Sequence, residues 1–379
     1  MALTTIQTNN KKILFTKEIN REFVRENMFS PYTSEGLDAV IRRRYEPKKG
    51  GEQMNIPLVT KLNNSAVGVG TLVGNEEEIE NYGMRVWVDW ARHAVVTNDA
   101  EKQKDSADIF GIAKPLLSDY MKELMRDEHI EAFMALPSES APVGLGSGAG
   151  QRVNGILYED ASAAEKNTWN AANSDRVLYG AAVSNYNATH ATALGVVDTT
   201  ADTMSASLLS TAKRAALLSN PAIRPKKTKD GYEHYVVFCG AYAFRDLKND
   251  LKDENMDGRP RSNNNVVWKD GDLEWDGMII RQVPEISSMV EDKFTSLVTA
   301  GDSSSRVEPY FLCGKQSLVC AYGSMLKPTK RAEDDYEFIT GVGVQTCYGV
   351  GKMFKKHPAS GSNLKQWGML TGFVNAAAN

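Results

Sequence analysis

Five histidines and four cysteines are the first places to look for chemistry in this chain of 379 residues. His93, His129, His190, His234 and His357 are scattered, with no HExxH and no His-x-His spacing. The paired imidazoles that hold zinc are therefore missing, and no metal is expected. His129 follows Asp127 and Glu128 and reads as a surface residue. Cys239, Cys313, Cys320 and Cys347 form no CxxC pair. Neighbours such as Val237, Phe238, Phe311 and Leu312 make them small core hydrophobes of a reducing compartment. There is no GxSxG turn and no cysteine in a polar setting, so nucleophilic catalysis lacks a nucleophile.

Phosphate chemistry fares no better. Gly314 and Lys315 would need a glycine at 309 and a hydroxyl at 316, where Pro309 and Gln316 stand. Gly68, Gly70 and Gly74 miss the GxGxxG spacing by one residue, and the glycines of 144–150 follow no strand and precede no lysine. Asp253, Asn255, Asp257 and Gly258 fit the opening of an EF-hand loop. Its twelfth position is Asn264, without the bidentate carboxylate, and Arg259, Pro260 and Arg261 oppose a cation. That stretch reads as a polar turn. Glu76, Glu77, Glu78 and Glu80 form an acidic loop run, whereas paired carboxylates for hydrolysis need a rigid frame. No cofactor and no catalytic residue is expected; the chain reads as a non-enzyme.

The elements that position these residues are those of an ordinary globular protein. Hydrophobic residues make up 42% and charged residues 24%, enough for a large core. Met1 to Asn20 lacks an apolar signal core, and no stretch is long and apolar enough for a bilayer. The formal net charge of -4 argues against a surface that condenses nucleic acid. The one basic cluster is Arg42, Arg43, Arg44, Lys48 and Lys49, read as a solvated face or a partner contact.

A polar arm covers 1–20. Leu37, Val40, Ile41 and Tyr45 fall at helical spacing after Ser34, which predicts a helix over 34–45. Met54 to Leu62 and Tyr82 to Asn98 read as strands, the second from the alternation of Met84, Val86, Val88 and Trp90. The stretch of about twenty residues between them makes a long projecting hairpin. An apolar stripe over 105–136 predicts a long helix, with Pro115 forcing a kink or a start near Lys114. Residues 137–151 read as a flexible break and 152–200 as an irregular insertion. A helix at 203–219, mixed strands and helices over 232–325, and strands at 338–356 and 365–375 complete an α+β pattern without βαβ alternation.

TLVGNEEEIENY at 71–82, DWARHAVVTND at 89–99 and LMRDEHIEAFMALP at 124–137 resemble, in that order, podovirus-type major capsid proteins with the HK97-like fold. YVVFCGAYAFRDLKND at 235–250, RPRSNNN at 259–265, EWDGMIIRQVPEI at 274–286 and EPYFLCGKQSLVCAYG at 308–323 extend the resemblance. Nothing in 152–200 joins it.

The resemblance implies an α+β, HK97-like capsid fold. Its parts are an N-terminal arm (1–49), an extended loop (50–97), a peripheral domain with a spine helix (98–219), an axial domain (220–334) and a return to the peripheral domain (335–379). It implies a major capsid protein that assembles in the host cytoplasm into the icosahedral, DNA-filled head of a tailed phage. Partners would be its own pentamers and hexamers, a separate scaffolding protein, a portal, a decoration protein and packaged DNA met non-specifically. Ile56, Leu58, Val67, Val69 and Leu72 on the loop would be covered only by a neighbouring copy. The contact residues expected between copies are Arg42, Arg43, Arg44, Leu72, Asn75, Glu76, Glu77 and Glu78, with the glutamates facing the arginines next door. An encapsulin-like shell protein is the alternative, separable by microscopy of the assembled product. A soluble hydrolase is the other, predicting a monomer or dimer by light scattering.

Overall fold

The computed structural model describes residues 25, 27–45, 52–59, 62, 64–79, 81–104, 109–148, 150–227, 231–252, 268–269, 272–332, 336–356 and 364–377. The EF-hand-like stretch, RPRSNNN, Lys48, Lys49, Glu80, His357 and the whole polar arm 1–20 lie outside them. The described chain falls into two units. One holds Ala91–Met125 and Met325–Thr346; the other holds Met28–Trp90, Arg126–Ser324 and the chain from Cys347 onward.

In the larger unit, one sheet carries most of the core. Its order is Trp268–Lys269, Asp272–Trp275, Met278–Gln282, Glu233–Cys239, Val307–Cys313, Met369–Asn375 and Val177–Tyr179. The run Tyr235 to Cys239 is buried on both faces, as in a sheet covered on each side. Tyr235, Val237 and Cys239 face the helix Ala206–Leu218 through Leu208, Leu209, Ala212 and Ala216. Phe238 meets Phe29 at 5.0 Å and Phe133 at 5.8 Å between ring centroids, both from the rest of the same unit. The tail strand Met369–Asn375 and the strand Val177–Tyr179 join this sheet.

A second sheet orders Thr33–Ser34, Ile41–Tyr45, Leu318–Lys330, Ile339–Lys352 and Asp89–Asn98, with Val153–Asn154 beside Ile339–Lys352. The helix expected over 34–45 is thus a strand from Ile41 to Tyr45, in parallel register with Leu318 to Tyr322. The backbone pairing with a distant segment overrides the local helical spacing. Leu37, assigned to the buried stripe of that helix, is exposed.

The long helix runs Ala113–Met134. Pro115 sits in its first turn, where backbone N–H groups have no intrahelical acceptor, so it starts the helix without breaking it. Ala113, Leu117 and Met121 are buried, and so are Ile130, Ala132, Phe133 and Met134.

The stretch 152–200 is not irregular. Ser162 and Glu165 form a capping box that starts the helix Ala163–Ala172. Behind it, His190 lies buried between two tyrosines. Tyr179 Oη donates to Asn170 Oδ1 (3.0 Å), which leaves its lone pairs to accept from His190 Nδ1 (2.6 Å). His190 Nε2 is then the acceptor for Tyr158 Oη (2.8 Å). The ring is neutral, and burial pushes its pKa down to about 3, with the Lys166 charge adding. Polar residues build this core, so an apolar pattern could not reveal it.

Candidate assembly surfaces

The hairpin of the larger unit pairs Gln53–Val59 with Asn81–Trp87 in antiparallel register, Gln53 opposite Trp87 and Val59 opposite Asn81. Alternation places Ile56, Leu58, Met84 and Val86 on one face. There they pack with Val319, Ala321, Met353 and Phe354 of their own chain. Ile56 is 1% exposed. This corrects the expectation that Ile56 and Leu58 wait for a neighbour: the base of the hairpin belongs to its own core.

Two residues that the sequence did not single out lock that base. Asn154 accepts from the Trp87 N–H at 2.8 Å and donates to the Trp87 carbonyl at 3.0 Å, completing the strand's hydrogen bonds with a side chain. Its amide also reaches the Val350 carbonyl at 3.3 Å. At Gly349, a Cβ would stand 1.8 Å from the Trp87 carbonyl oxygen, so only glycine allows this approach.

The outer part of the hairpin differs. Leu62, Val69, Leu72, Val73 and Ile79 are all exposed, Leu72 at 67%. Local bonds shape this end. The Leu72 carbonyl accepts from the Asn75 N–H (3.0 Å), and Asn75 Nδ2 donates to the Thr71 carbonyl (3.0 Å). Glu76 accepts from the Gly74 N–H (2.7 Å), and Glu77 accepts from the Asn64 N–H (2.9 Å), tying the two arms together. Glu76 and Glu78 are exposed, and Glu77 is half-buried.

Arg42, Arg43 and Arg44 lie along the strand Ile41–Tyr45 and are half-buried. Arg43 pairs with Glu35 at 3.2 Å. Burial, then the neighbouring Arg44 charge, lower the Arg42 guanidinium below its usual range.

The same unit holds buried ionic groups. Glu128 meets Arg152 at 2.6 Å and accepts from Tyr348 Oη at 2.5 Å. Burial raises its carboxyl above the usual range despite Arg152. Lys352 is fully buried, 5.5 Å from the Trp169 ring, and burial lowers its amine to about 7. His129, expected at the surface, is buried and stacks on Phe29 at 5.7 Å. It belongs to the inner face of the helix, with Phe133 one turn on. All four cysteines are free thiols and buried, as expected of core residues. Among the described residues, no group of three or more His, Cys, Asp or Glu could hold a metal ion, and no helix is long and apolar enough to cross a membrane.

Known proteins similar to this chain come from bacteriophage capsids. A family model described as phage capsid protein matches residues 6–378. The cyanophage Pam1 capsid asymmetric unit shares 32% identity, over 100% of this chain and 100% of that one, with a TM-score of 0.85. The capsid of Ralstonia phage GP4 shares 18% identity over 100% and 99%, with a TM-score of 0.69. The head structure of Helicobacter pylori bacteriophage KHP40 shares 12% over 97% and 96%, with a TM-score of 0.63. The last two carry likeness of fold alone. None of the curated proteins matches this chain.

Proposed function

We infer how this chain works from one premise: it belongs to the phage capsid protein family and is a major capsid protein that forms the head shell of a bacteriophage. Its mixed helices and sheets are the HK97-like fold of phage capsids, and its place is the virion. It associates with copies of itself.

How it does so is our reading. The hairpin between Gln53 and Trp87 is the extended loop, and its outer part lies across a neighbouring copy. The helix Ala113–Met134 is the spine of a peripheral domain. The sheet centred on Glu233–Cys239 forms the axial domain, with 177–179 and 369–375 as further strands. Subunits in closed rings need contacts between unlike surfaces that repeat around an axis, and a reaching loop supplies one. A scaffolding protein, a portal, a decoration protein and DNA held without sequence specificity are the further partners of this reading.

One observation carries it. The base of the hairpin is fixed in its own core, while its far end exposes five large apolar side chains. A loose loop would not need the first feature, and a monomer would be ill served by the second. Electron microscopy of the purified protein tests it. Head-sized shells are expected from the intact chain, and none after 64–79 is replaced by a short glycine linker. Shells of normal size and yield from the shortened chain would refute the role of the hairpin.

A further inference from the structure

A protein of formal net charge -4 gathers cations around one ring in its larger unit. Arg281 donates from Nε to Tyr32 Oη at 2.8 Å, and its guanidinium carbon lies 5.5 Å from the ring centroid. Lys226 Nζ lies 5.6 Å from the same ring. Lys227 follows Lys226 on the short strand beside Glu233–Cys239 and pairs with Glu233 at 3.0 Å. The Lys315 N–H donates to the Arg224 carbonyl at 2.8 Å, while Lys315 Nζ reaches Asp38 at 2.5 Å. The hydrogen bond and charge of Lys315, then the charges of Lys226 and Lys227, hold the Asp38 carboxyl below its usual range. Exposed Leu37 stands next to Asp38, and its carbonyl accepts from Gln316. The surface is therefore cationic with one apolar side chain among the charges.

We propose that this patch seats the outer hairpin of a second copy, with the carboxylates of Glu76, Glu77 and Glu78 against Lys226, Lys227 and Lys315. The proposal rests on the reading that the hairpin reaches a neighbour, and it names where it lands. Charge complementarity selects the occupant. The hairpin end is acidic and apolar, through Glu76 to Glu78 beside Leu72 and Val73; the patch is basic with Leu37. The arginines at 42–44 are the weaker counter-surface. They are half-buried along a sheet strand; ion pairs within the chain occupy both surfaces, Arg43 with Glu35 here and Lys227 with Glu233 and Lys315 with Asp38 on the patch. Lys227 is 60% exposed and can reorient on a flexible stem. Duplex DNA fits less well, because a lining that holds DNA neutralises many phosphates over a broad area, and this is one spot on an acidic protein. A single exposed ion pair contributes little, but several pairs closed off from water by Leu72 and Leu37 set register and partner choice.

Carbodiimide joins an amine directly to a carboxylate in contact with it. Shells assembled from equal parts of unlabelled and nitrogen-15 subunits are treated with it, digested and analysed by mass spectrometry. Lys315 to Asp38 and Lys227 to Glu233 are the internal controls. Mixed-label links from Glu76–Glu78 to Lys226, Lys227 or Lys315 are expected. Mixed-label links from those glutamates to other lysines only would overturn the landing site and leave the reaching hairpin standing. Hairpin links confined to one copy would overturn both.

A charge swap gives a second readout. Lys226→Glu with Lys227→Glu is expected to raise the protein concentration needed for assembly by about tenfold at low salt. Adding Glu76→Lys, Glu77→Lys and Glu78→Lys to the same chain is expected to restore it. Failure of the restoration, with both proteins folded by circular dichroism, overturns the proposal. So does normal assembly of the lysine variant together with lost binding of a short DNA duplex, which assigns the patch to nucleic acid.

Discussion

Two leucine-sized side chains on one hairpin should fail in opposite ways. Leu72 is 67% exposed on the outer part and Ile56 is 1% exposed at the base. Burying a whole leucine side chain contributes about 1.5–3 kcal/mol, so covering the two thirds still exposed contributes about 1–2 kcal/mol per contact. Leu72→Ala removes most of that from assembly and almost nothing from folding. At about 1.4 kcal/mol per factor of ten, the protein concentration at which shells appear should rise roughly 5- to 30-fold. Ile56→Ala instead opens a cavity among Met84, Val319 and Met353 and should cost roughly 2–5 kcal/mol of folding stability. The assay is paired: light scattering against protein concentration for assembly, and urea unfolding of the unassembled subunit for stability. The reasoning is refuted if Leu72→Ala lowers the urea midpoint as far as Ile56→Ala does while its assembly threshold stays at the wild-type value.

Three buried groups give further tests by urea unfolding. His190 has a folded pKa of about 3 against about 6.5 unfolded, so only the unfolded state takes a proton between those values. Its contribution to stability is complete above about pH 6.5 and is lost as pH falls towards 3, by up to about 1.4 kcal/mol per pH unit. His190→Gln should flatten that fall; an unchanged slope would contradict it. Lys352, lowered to about 7, behaves alike: its contribution is whole above about pH 10.4 and lost as pH drops through 7. Lys352→Met should therefore raise stability at pH 7 by roughly 1–4 kcal/mol, and a loss would show that the amine is satisfied. Arg152→Ala strands Glu128 and should cost roughly 3–5 kcal/mol at pH 8. Burial already raises the Glu128 carboxyl, and folding favours its protonated form. The cost should shrink at pH 5; an equal cost at both values would place the loss in packing.

What the sequence disclosed follows how local each feature is. The stripe from Leu116 to Met134 and the alternation of Met84 and Val86 lie within one element, so their period announced the helix and the hairpin strand. The strand at Ile41–Tyr45 was hidden because its partner begins at Leu318, and three arginines suit a helix locally. The stretch 152–200 was hidden for another reason. Asn170, Asn173, Arg176 and His190 are buried there, and Asp202 just beyond, by hydrogen bonds to backbone and to neighbouring side chains such as Tyr179. Burial through polar satisfaction leaves no apolar period to read. Of the hairpin surface, the acidic and apolar end was legible from composition. The division between a base held in its own core and an exposed end was not, since it depends on Met353 and Phe354, far along the chain. Nor could spacing single out Asn154 or Gly349, whose importance lies in the Trp87 backbone they meet.

The same division explains how one chain can be both a free subunit and a wall. A hairpin that was apolar throughout would collapse onto its own body or onto any exposed edge before shells could form. Here the inner residues are already used, which fixes the direction of the hairpin before a neighbour arrives. Contacts made by a prepositioned element lose less conformational entropy on binding than those of a loose loop. Glu76, Glu77 and Glu78 sit beside the exposed Leu72 and Val73, so like charges keep free hairpins apart from one another. At the proposed landing site that repulsion would be relieved by the waiting cations, which would turn a hydrophobic contact into a selective one. Raised salt should thus blunt both effects at once: wrong contacts between hairpins become less costly, and the right contact gains less.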